Sequence, residues 1–132
     1  MLDAGMGGQP EPDFAVQLRE DLSMADMRHV LTVFAGDLER LSGMIASASA
    51  AGEVVVARRS AHALAGAAGA VGASRLDAAC RAIATDAEID APEGGRSALA
   101  RHGAAIVAAS RMAALALARV TRTLDGPGAG AR

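Results

Sequence analysis

Between Met24 and Ala48 apolar side chains recur at alternating steps of three and four residues, through Met24, Met27, Leu31, Phe34, Leu38, Leu41, Ile45 and Ala48. Such steps keep returning to one side of a helix with 3.6 residues per turn and do not fit a strand, whose period is two. A stripe this long needs partner helices along its whole length to bury it. In Ser23-Met-Ala-Asp26 a hydroxyl and a carboxylate can satisfy free N–H groups of the first turn, and Gly52 stands where a left-handed residue would end the helix.

The rhythm returns downstream. Ala57, Ala61, Leu64, Ala68 and Val71 form the seam of a helix expected from about Glu53 to Ala70, closed by Val71-Gly72. Ser74-Arg-Leu-Asp77 offers a second capping box, followed by a seam of Leu76, Cys80, Ile83 and Ala87. Asp-Ala-Pro-Glu-Gly-Gly, from Asp90 to Gly95, is a loop. The last helix runs through Leu99, Gly103, Ile106, Ser110, Ala113, Leu117, Val120 and Leu124. Upstream, Pro12 and Asp13 can open a short helix to about Glu20 with Phe14 and Leu18 on one face, a cap on one end of the bundle. Val54-Val55-Val56 is too brief for a strand among such helix formers. The expected fold is therefore all-α, an antiparallel up-and-down four-helix bundle with a short extra N-terminal helix, spanning residues 13–124. Residues 1–12 and 125–132, rich in Gly and Pro or without periodicity, are expected to be disordered tails.

Aromatic residues make up only 2% of the chain, so Ala, Leu, Val, Ile and Met must fill this core, and small seam residues let the helices approach closely. The net charge is -2, every basic residue is arginine, and no basic block is interleaved with aromatics, so nucleic acid is not an expected partner. Cys80 is the only cysteine; it falls in an apolar pattern, which reads as a buried thiol in a reducing compartment. The N-terminal residues lack the basic and apolar regions of an export signal, and Arg, His or Gly interrupts the longest apolar segments before about 20 residues. The expectation is a cytoplasmic protein with no membrane contact. Asp26 and His29 have the spacing of a metal-binding helix pair, but no second copy faces them, so no metal site is expected.

The feature that packing does not explain lies between Arg58 and Leu76. His62 sits about 100° round the helix from Ala61, beside the buried stripe, and Gly66 follows it by one turn on the same side. Glycine within a helix costs about 1 kcal/mol relative to alanine, and alanine is used almost everywhere nearby, so close approach by another molecule is the better reason for it. The order His62-x-Leu64-x-Gly66, then Val71-Gly72-Ala73, Leu76 and Cys80, resembles the signature of histidine phosphotransfer (HPt) domains, and the likeness covers most of residues 20–90.

The resemblance implies a phosphoryl carrier, not an enzyme, with His62 as the phosphoacceptor in a multistep two-component phosphorelay. It implies response-regulator receiver domains or hybrid histidine kinases as partners. It also implies that Gly66 admits the partner's active site, that no cofactor is bound by this chain, and that Mg²⁺ is held by the receiver. Gly69 is expected to be sterically permissive on the same docking surface. Neutral imidazole suits the role, since its lone pair is available near physiological pH. The family commonly has lysine where this chain has Ala65, and often glutamate at the position aligned with Ala84; the chain has no lysine at all. Arg58 and Arg59, four and three residues before His62, are the expected compensating cations. The rival readings are a receiver-docking bundle that no longer relays phosphate and a metal-binding bundle. A single chain supplies a complete bundle, so a monomer is expected.

Overall fold

A computed structural model of the chain describes the backbone of residues 13–131 and the side chains of residues 13–126. The helices are α1 (Val16–Asp21), α2 (Met24–Ala51), α3 (Val54–Val71), α4 (Ser74–Thr85) and α5 (Gly95–Ala131), with a 3₁₀ turn at Ala87–Asp90 between the last two. The described residues contain no strand.

Each long helix packs on its neighbour in sequence, and α5 closes the ring on α2. Contacts across the helix pairs give their directions. Arg58 in the first half of α3 reaches the Ile83 carbonyl near the end of α4, whereas Gly69 lies beside Asp77 near its start. Arg28 near the start of α2 bonds the Leu124 carbonyl and pairs with Asp125 at 2.7 Å, whereas Arg96 at the start of α5 bonds the Ala50 carbonyl. Both pairs are thus antiparallel. The core is the predicted stripe: Met27, Leu31, Phe34, Leu38, Leu41, Ile45 and Ala48 of α2 are buried with Ala57, Ala61, Leu64, Ala68 and Val71 of α3. Leu76, Cys80 and Ile83 of α4 and Leu99, Gly103, Ile106, Ser110, Ala113 and Val120 of α5 complete it.

Several details differ from the expectation. Met24 is 57% exposed, because Phe14, with Leu18 and Leu22 packed against the core, closes that end. The short first helix starts at Val16, not at Asp13. Ahead of it Phe14 tucks against Phe34, their ring centroids 5.9 Å apart. Ala15 adopts a left-handed conformation (φ 62°) and donates its N–H to the Val71 carbonyl at 2.6 Å. This strap lies across the α3–α4 junction, where Ser74 donates to the Asp13 carboxylate in place of forming the expected capping box; Ala73 is the N-cap residue and has no side-chain cap. Ala87 is exposed in the 3₁₀ turn, and Ile89 takes the buried position.

The region expected as a tail from residue 125 begins inside α5: Asp125 is still helical, and the first non-helical residue is Gly126 (φ 77°, ψ 157°). The expected tail 1–12 lies outside the described residues. The stretch 95–126 is long and apolar enough to cross a membrane, contrary to the reading that Arg, His or Gly breaks the longest apolar segments too early for that, but its seam is buried in the bundle by the residues named above.

Candidate functional site

Along α3 the buried residues occupy one side, and His62 lies outside it, exposed to solvent. The exposed face around it comprises Val55, Arg59, Ala63, Gly66 and Gly69. A β-carbon built on Gly66 would meet nothing within 4 Å, so one turn beyond the imidazole the helix presents bare backbone to open space. Gly69 turns toward α4, where the nearest side-chain atom to its missing β-carbon is Asp77 Oδ2, 3.6 Å away. Val55, at 66% exposure, and Val33 on the neighbouring α2, at 50%, are large apolar side chains left in solvent. A shallow groove of about 230 Å³ between the two helices is lined by His29, Val33, Asp37, Ala67 and Ala70.

Two expected contact residues are not on this face. Ala65 is only 4% exposed: it follows Ala61 by one turn and belongs to the edge of the core. Arg58 bends to the flank facing α4 and the 3₁₀ turn. Its Nη1 donates to both carboxylate oxygens of Asp90 at 3.0 and 3.1 Å, its Nε to the Ile83 carbonyl and its Nη2 to the Asp86 carbonyl, each at 3.3 Å. Nothing local in the sequence announces this, since Asp90 lies 32 residues away. Arg59 makes no hydrogen bond or ion pair among the described residues.

His102, one position before the seam residue Gly103, is partly buried, with Nε2 2.8 Å from Asp86 Oδ2. That hydrogen bond, followed by the one from the Glu88 N–H, holds the Asp86 carboxyl below the usual carboxylate range. A folded-state pKa below the unfolded one stabilises the fold above the ordinary carboxylate value and is lost as pH falls through the depressed one. Asp86→Asn is therefore expected to lower the melting temperature most above about pH 5, and the gap from wild type should close on acidification below about pH 4. Thermal melts across that range check it; a gap independent of pH would refute the assignment.

Burial, with the nearby Asp77 charge second, pushes the Cys80 thiol up to about 12, so it is not a thiolate at neutral pH. No three His, Cys, Asp or Glu side chains among the described residues come together as metal ligands.

The described residues thus form a helical bundle that offers a solvent-facing imidazole beside a bare turn of backbone. The model of the Hpt domain family matches residues 29–118, most of the chain, and this protein belongs to that family. Hpt domains carry phosphoryl groups on histidine in phosphorelays, exchanging them with receiver domains or kinases, and are phosphocarriers rather than enzymes in the usual sense. No curated protein and no solved structure gave a significant match.

Proposed function

We propose that this protein takes a phosphoryl group on His62 from the aspartyl phosphate of a response-regulator receiver domain, or returns it there, as the histidine station of a multistep phosphorelay. The observation that carries the reading is the exposure of His62 together with the open space at Gly66. In the forward step an imidazole nitrogen with a free lone pair forms an N–P bond. The P–O bond to the aspartate breaks and its electron pair leaves on the carboxylate, while the other ring nitrogen keeps its proton until solvent takes it. The transition state is loose and carries its charge on the phosphoryl oxygens, so catalysis is largely positioning and charge neutralisation. The aspartate and Mg²⁺ belong to the receiver, and this chain supplies the nucleophile and a surface that lets the two centres meet.

Exposed Val33 and Val55 give that surface apolar contacts for a protein partner. Gly66 and Gly69 keep its centre low. A cytoplasmic setting and a monomeric carrier accord with this role. Incubation with an acetyl-phosphate-charged receiver should label wild type with acid-labile, alkali-stable phosphate and leave His62→Gln unlabelled. Receiver binding without labelling of the wild type would support the docking-only alternative.

A further inference from the structure

We propose that Arg59, and not Arg58, supplies the phosphoryl-binding cation of α3 at His62, and that Arg58 is a structural brace. This deepens the carrier reading and rests on it. A phosphoryl group on His62 would bring close to two negative charges to the surface. Its own helix has no carboxylate between Val54 and Val71 to oppose a cation, and its arginines are Arg58 and Arg59.

The structure separates these neighbours. The guanidinium of Arg58 is engaged on all three nitrogens, by Asp90 and two main-chain carbonyls, and its charge is answered by the Asp90 carboxylate. Redirecting it to a phosphate would leave Asp90 without this partner and two carbonyls without these donors. Arg59 has no ion pair to give up among the described residues. It is exposed on the outer face three residues before His62, within the spacing at which helical side chains meet. Its planar fork of donors suits phosphoryl oxygens, which it can grip in pairs. On the α4 flank, where Ala65 is buried, no side chain of α3 is available for that task. Among the cations of α3, the one on the outer face is thus the one available to the phosphoryl oxygens.

Wild type, Arg59→Ala, Arg59→Lys and Arg58→Ala are phosphorylated with phosphoramidate, titrated by ³¹P NMR, and then assayed for transfer with a receiver domain. Removing Arg59 should raise the pKa of the phosphohistidine phosphoryl group and slow transfer by about ten- to a hundredfold, the range of a lost charged hydrogen bond. Arg59→Lys should restore most of both, because the charge is kept. Arg58→Ala should lower the melting temperature and leave the phosphoryl titration unchanged. An Arg59→Ala protein with wild-type titration and transfer, or a larger titration shift in Arg58→Ala, would overturn the assignment. Wild type that accepts no phosphate would instead overturn the carrier reading beneath it.

Discussion

Replacing Gly66 with leucine is expected to leave the bundle folded while cutting phosphoryl exchange with a receiver domain by about a hundredfold or more. The fold should tolerate it because a β-carbon at this position meets no neighbour within 4 Å, and leucine favours the helix by up to about 1 kcal/mol over glycine. Exchange should fail because the reacting atoms must come within about 3–3.5 Å, and displacement by 1 Å can cost about a hundredfold. An isobutyl group on the docking surface one turn from the imidazole displaces an incoming protein by more than that. A small donor such as phosphoramidate needs no such surface, so it should still label His62 in the variant. Transfer rates with the two donors, beside a thermal melt, check the prediction. Equal losses with both donors would mean that Gly66 supports the helix and not the approach.

Gly72→Ala should have the opposite profile, a large loss of stability from a residue that touches no substrate. Gly72 has φ 76°, a left-handed conformation that costs an L-residue about 1–2 kcal/mol. Its missing β-carbon would also run into the Asp13 main-chain carbonyl, which is rigid, and not into a side chain that can swing aside. Accommodating it means lifting the strap, with loss of the Ala15 to Val71 hydrogen bond and of the Phe14 packing on Phe34. Strain and overpacking together give an expected cost of about 2–5 kcal/mol. Denaturant unfolding of the variant measures it. A cost below about 1 kcal/mol would show that the strap holds the bundle only weakly.

The stripe of α2 was legible because its period depends only on neighbours in sequence, and Leu31 through Ala48 are buried as that period requires. His62 and Gly66 were legible for the same reason, being one turn apart on a helix whose buried side is marked by Ala61, Leu64 and Ala68. What escaped depends on partners far along the chain. Ala15 is left-handed because its N–H is claimed by Val71, and Arg58 leaves the His62 face because Asp90 arrives from the 3₁₀ turn. Met24 continues the period of α2, yet periodicity does not reveal that Phe14, with Leu18 and Leu22 beside it, closes the core at that end. For Ala65 the signal was present: four residues after Ala61, it sits on the margin of the buried stripe, where a short side chain packs and makes no outward contact.

The chain has three histidines, and phosphate is expected on His62 alone. Peptide mapping of the protein by mass spectrometry, after charging by a receiver domain and under conditions that preserve phosphohistidine, tests this most directly. Phosphate confined to the peptide that contains His62 is the predicted result, while phosphate on His29 or His102, or on none of the three, would contradict it.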